Sequence, residues 1–139
     1  MGVHIDTRDV HCYYIVHHMV NRGIRVNASD LVEDAAKALI QLLETIPGLK
    51  ARRVRRGGRL PLQGFEPDIL IEVRNGGAAR TLVVEVKGNG EPKTARAVAE
   101  QLKLYLGNEE KVYGVLVAPY ISESAATVCK EFGIGYADL

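Results

Sequence analysis

Apolar residues recur at helical spacing from Asp30 onward. Leu31, Ala35, Leu39, Leu42 and Ile46 share one stripe, with Val32, Ala36 and Leu43 beside it. Glu33, Lys37, Gln41 and Glu44 form the opposite, polar stripe, and Pro47-Gly48 ends the predicted helix. The period then changes. Ala51 to Arg56 reads as a first strand, with Gly57-Gly58 and Pro61 through Gly64 as the loop after it. Asp68 to Val73 reads as a second strand, Asn75-Gly76-Gly77 as a tight turn, and Thr81 to Lys87 as a third strand. Pro92 sits in the first turn of a helix that runs to Leu106 and stops at Gly107. Val112 to Ala118 has the composition of a buried strand. Ser122 caps a short helix that runs to Phe132 and closes at Gly133, and Ile134 to Leu139 makes a last strand.

The predicted order is α-β-β-β-α-β-α-β. Three strands joined by short connections form an antiparallel meander, while the later strand-helix-strand segments need crossovers and favour parallel pairing. The expected fold class is therefore α/β, a mixed central sheet flanked by helices. The division is an N-terminal extension over residues 1–27, where Val10 to Val20 fits a helix or a strand equally, and one domain over residues 28–139. The chain ends directly after a strand, which leaves room for a further domain or a partner protein after Leu139.

Composition narrows the class. At 139 residues the chain can bury a core of its own. No apolar run reaches membrane-spanning length, so no membrane partner is expected. Cys12 and Cys129 are far apart without CxxC spacing, which reads as free thiols in a reducing cytoplasm. A net charge of +1 suggests no polyanionic partner, but Arg52, Arg53, Arg55, Arg56 and Arg59 crowd into eight residues without an acid among them. Such a patch can track nucleic-acid phosphates or guard an edge strand against aggregation. In a strand, Arg53 and Arg55 share one face, and Arg52 and Arg56 the other.

The chemistry concentrates in two segments. Glu66-Pro67-Asp68 leads into the apolar run Ile69-Leu70-Ile71, and Glu85-Val86-Lys87 follows Leu82-Val83-Val84, with Glu85 17 residues after the aspartate. In an antiparallel hairpin the start of the second strand and the end of the third are neighbours. Glu85 and Lys87 are two apart and leave the same face. Two adjacent carboxylates repel unless a cation lies between them. Mg²⁺ accepts one or two carboxylates and keeps several waters. The backbone carbonyl of Val86 offers another oxygen.

Together these segments resemble the PD-(D/E)xK nuclease superfamily, and the resemblance extends over roughly Asp30 to Leu139. Gln101 and Tyr105, one helical turn apart, resemble the QxxxY motif of the exonuclease branch, and Val115 to Tyr120 is similar to the buried fourth strand of restriction-endonuclease-like domains. The resemblance implies a restriction-endonuclease-like fold and a metal-dependent deoxyribonuclease, here expected to be endonucleolytic, with DNA as partner. It implies Mg²⁺ with Mn²⁺ able to substitute, held by Asp68, Glu85 and Val86, and a catalytic set of Asp68, Glu85 and Lys87. Many members add a glutamate on the first helix. Glu33 fits better than Glu44 because the start of that helix lies near the active edge, although Asp30-x-x-Glu33 also reads as a capping box and Glu33 with Lys37 as a surface pair. The alternatives are a non-catalytic DNA-binding or assembly module on the same fold and a Holliday-junction-resolvase-like homodimer.

Two other signals are weak. His4, His11, His17, His18 and Cys12 match no compact zinc spacing. Gly88 to Thr94 lacks the end of a phosphate loop, and its glycines read as a flexible connection.

Overall fold

The computed structural model describes residues 2–7, 11–16, 28–54, 65–107 and 109–139, with the backbone alone for the first two segments and for residues 28–29. The elements are β1 (Gly2–Thr7), β2 (His11–Val16), α1 (Ala28–Glu44), β3 (Leu49–Val54), β4 (Ile69–Asn75), β5 (Ala78–Val86), α2 (Pro92–Leu106), β6 (Val112–Ala118), α3 (Glu123–Phe132) and β7 (Gly135–Asp138). From α1 onward this is the predicted order. The strands form one sheet in the order β2-β1-β7-β6-β5-β4-β3. The hairpin β3-β4-β5 is antiparallel, and β5-β6-β7 are parallel. Residues 2–7 and 11–16, for which the sequence offered no assignment, pair with each other and continue the sheet beyond β7.

Boundaries shift for local reasons. β3 starts at Leu49 rather than Ala51 because Gly48, at φ 81°, turns the chain early enough for Leu49 to pair with Asn75. β5 starts at Ala78 rather than Thr81, since the two-residue turn at Gly76-Gly77 sets Ala78 opposite Asn75. α1 starts at Ala28, so Asp30 lies inside its first turn and is not the N-cap of a box with Glu33. At α3 the expected caps are present. Ser122 Oγ accepts from the Ala125 amide at 3.1 Å, and Gly133 is left-handed at φ 69°.

Alternation along the strands makes two apolar layers. Leu49, Ile69, Ile71, Leu82, Val84, Val115 and Val117 face α1, whose Ala35, Ala36, Leu39 and Leu43 are buried against them. Leu70, Val83, Leu116 and Ala118 face α2 and α3 and pack with Ala95, Val98, Ala99, Leu102, Ala125, Val128 and Cys129. The Cys129 thiol is buried, and burial pushes it up to about 11, so it packs rather than reacts. No helix of the described residues is long and apolar enough to cross a membrane.

Candidate active site

Pro67 has no N–H to give to a strand ladder. The β4-β5 pairing accordingly ends at Ile69 opposite Val84. One step further along the same register, Asp68 comes opposite Glu85. Its carboxylate satisfies the Val86 amide beyond the end of the ladder, with Oδ2 accepting from it at 2.8 Å. Backbone N–H and C=O of one residue in a strand point the same way, so the Val86 carbonyl also turns toward the β4 side. On the other edge of β5 the Lys87 amide donates to the Val117 carbonyl at 2.8 Å, which keeps Lys87 in line with the strand.

Glu85 lies on the α2 side, between the buried Val83 and Lys87. It is 5% exposed, the one buried charged residue among those described. Its Oε1 is buried without a hydrogen-bond partner. Buried carboxylate oxygens are normally satisfied, and an orphan costs on the order of 1–3 kcal/mol. Burial pushes the Glu85 carboxyl from 4.5 up to about 7; the charge of Asp68 adds to the rise and that of Lys87 opposes it.

This has a testable sign. Between about 4.5 and about 7 the folded protein holds a proton that the unfolded chain has released. The metal-free fold therefore loses stability as pH rises through that window, by at most about 3 kcal/mol, and levels off above it. Glu85→Gln should flatten the dependence and melt several degrees above the parent at pH 8 in chelator. Parallel melting profiles for the two proteins from pH 4.5 to 8 would show that Glu85 titrates normally.

The remaining nominated residues divide between the faces. Glu33 lies at the expected end of α1, beside the last pairs of β3, but on the α1 face of the sheet, opposite to that of Glu85. Its carboxylate accepts from Arg53 at 2.7 Å, not from Lys37. These two line an open cavity of about 310 Å³ with Ala36, Lys37, Ile40 and Gln41. Arg52 lies on the other face and pairs with Glu72. Arg55, Arg56 and Arg59 fall outside the described residues. Tyr105 shares the α2 side with Glu85, and its ring stacks on Phe65 with centroids 4.6 Å apart. Gln101 is half-buried one turn earlier and makes no hydrogen bond to a described residue.

Phe65 escaped the sequence reading. It carries no chemistry of its own and stands in a loop, yet through its stack it links Tyr105 to the segment that delivers Asp68. The connection after Lys87 also differs from expectation. It is not held loosely: Gly90 bridges to Ile121, its carbonyl accepts from the Ser122 amide at 3.1 Å, and Asn89 Oδ1 accepts from Glu91 N at 3.2 Å and Thr94 Oγ1 at 2.7 Å.

No family model matches the sequence, and no curated protein does. Among solved structures, the chain is similar to EndoMS in its apo form, at 21% identity over 77% of this chain and 45% of that one, with a TM-score of 0.43. It is similar to an EndoMS–dsDNA complex at 19% identity, covering 91% and 50%, with a TM-score of 0.44. It is also similar to a repair endonuclease from Pyrococcus abyssi at 22% identity, covering 76% and 46%, with a TM-score of 0.40. The chain thus spans about half the length of each of these structures.

Proposed function

We propose that this chain is a Mg²⁺-dependent deoxyribonuclease that hydrolyses internal phosphodiester bonds at the edge formed by Asp68, Glu85 and Lys87. The observation that carries the reading is the buried, unpartnered Oε1 of Glu85 beside a second carboxylate. An isolated fold gains nothing from that arrangement, whereas a divalent cation satisfies the orphan oxygen and cancels the repulsion. The donors fit a hard cation: two carboxylates and a strand-end carbonyl are all oxygen. Among the described residues no cluster of three or more His, Cys, Asp or Glu offers a fuller metal site, so water would complete the coordination. Asp68 and Glu85 would hold the ion, with the carbonyl of Val86 as a further ligand. When bound, Mg²⁺ supplies polarisation of a phosphoryl oxygen and a more acidic water.

The chain's own groups do the rest. Burial of Glu85 lowers the local dielectric, which strengthens its hold on a cation and the pull of Lys87 on an anion. Lys87 leaves the same face as Glu85, and its ammonium offsets the negative charge that builds on the phosphoryl oxygens during attack. Tyr105 acts through Phe65 by fixing the approach of the Asp68 segment. Glu33 would join the site only by giving up Arg53.

Incubation with plasmid, linear, single-stranded and branched DNA tests the reading. Closed circular plasmid should be nicked in Mg²⁺ or Mn²⁺ and untouched in chelator. Intact DNA throughout the panel, with retained DNA binding, would make the chain a non-catalytic binding module instead.

A further inference from the structure

The sheet carries a second charged feature on the same face as the carboxylates. Val54 pairs with Leu70, Arg52 with Glu72 and Lys50 with Arg74. Val54 and Leu70 belong to the α2-side layer, so by alternation Lys50, Arg52, Glu72 and Arg74 also face that side. α2 ends at Leu106, and its last turn, through Tyr105 and Phe65, packs in the layer that holds Val54 and Leu70. The next two rows are open, with the Arg52 and Arg74 side chains 69% and 61% exposed. Three cations there meet one carboxylate.

That carboxylate organises the cations. Glu72 Oε1 accepts from Arg52 Nε at 3.1 Å and from Arg74 Nε at 2.9 Å, with Arg52 Nη2 at 3.1 Å. Its acidity is raised by the hydrogen bonds from Arg74 and then Arg52. Both guanidiniums are thereby fixed in orientation while keeping N–H groups that no described residue uses. Arg53, by contrast, points to the other face and is bound to Glu33.

We propose that Lys50, Arg52 and Arg74 form a phosphate track that engages the nucleic-acid backbone away from the scissile bond. The proposal rests on the nuclease reading only in taking the Asp68–Glu85 edge as the place of cleavage. The Arg52–Glu72 row lies four residues along β4 from Asp68, about 13 Å, and the Lys50–Arg74 row six residues, about 20 Å. With β4 running along the duplex axis, at about 3.4 Å per base pair, these rows would meet phosphates roughly four to six base pairs from the cut. Charge and this spacing select a polyphosphate backbone over a compact anion.

Binding of a labelled 30-base-pair duplex in Ca²⁺, followed across salt concentrations, tests the track. Arg52→Ala/Arg74→Ala should bind about tenfold more weakly, and its slope of log affinity against log salt should be shallower by about two. Glu72→Gln, which frees both arginines of their competing anion, should bind more tightly at low salt. Arg74→Gln alone retains the Arg52–Glu72 pair and should lower the slope by about one, which keeps the test available if the double variant melts at room temperature. Slopes equal to the parent's in both arginine variants would overturn the proposal, as would tighter binding of polyglutamate than of DNA. A reduced slope in a protein that cuts no DNA would sink the nuclease reading and leave the track standing. Cleavage with an unchanged slope would do the reverse.

Discussion

Lys87→Ala should slow single-turnover cleavage by on the order of a hundredfold or more while leaving duplex affinity within about twofold. One lysine is a small part of a contact made to many phosphates, so its removal changes the chemical step rather than the encounter. There is a second consequence. Lys87 opposes the rise of the Glu85 carboxyl, so without it Glu85 holds its proton to higher pH. The variant should therefore lose Mg²⁺ affinity at pH 7 and recover it near pH 8.5, where the loss in cleavage rate persists. A rate that returns fully to the parent's at pH 8.5 would mean that Lys87 serves only to keep Glu85 ionised.

Gly90→Ala should lower the melting temperature by roughly 10 °C, a cost of about 3 kcal/mol. A Cβ at this position would run into the Tyr120 carbonyl oxygen, the Ile121 Cα and the Ile121 Cγ1. Backbone atoms cannot step aside as a side-chain tip can. The bridge to Ile121 and the bond from Ser122 would have to open, and Ser122 also caps α3. Cleavage should fall in parallel, because this connection follows Lys87 directly. A melting temperature within 2 °C of the parent's would show that the two loops are not locked together. Gly114 provides a milder comparison, since the nearest atoms that a Cβ there would meet belong to the side chains of Leu102 and Ile134.

The helices and strands from α1 onward were legible because each carries its own period. α1 alternates at 3.6 residues, the runs Ile69-Leu70-Ile71 of β4 and Leu82-Val83-Val84 of β5 are apolar on both faces, and Pro92, Ser122 and the glycines mark the ends. The errors came where a neighbour, not the local sequence, decides. Ala78 and Ala79 are poor strand formers, yet the register with Asn75 and Arg74 holds them in β5. The capping box at Asp30 failed because α1 begins two residues earlier, and the partner of Glu33 is 20 residues away on β3.

Gly90 looked like flexibility because a glycine needed for close approach and one needed for freedom are the same letter. The facing of Asp68 and Glu85 could be read from the hairpin. The burial of Glu85 and its orphan oxygen could not, since they depend on the layer packed over β5. The strip of Lys50, Arg52 and Arg74 was equally hidden. Its members come from two strands, and the arginine run drew notice to Arg52 for its neighbours in sequence rather than in space.

The central claim is that the Asp68–Glu85 pair exists to hold a divalent cation. Calorimetric titration of Mg²⁺ into the DNA-free protein at pH 8 tests it most directly, with Glu85→Gln and Asp68→Ala alongside. The parent should bind at millimolar concentration or better, both variants should lose that binding, and Glu85→Gln should melt no lower than the parent in chelator, since it removes one of two repelling charges and leaves the Asp68–Val86 hydrogen bond in place. A folded parent that binds neither Mg²⁺ nor Mn²⁺ at millimolar levels would contradict the claim.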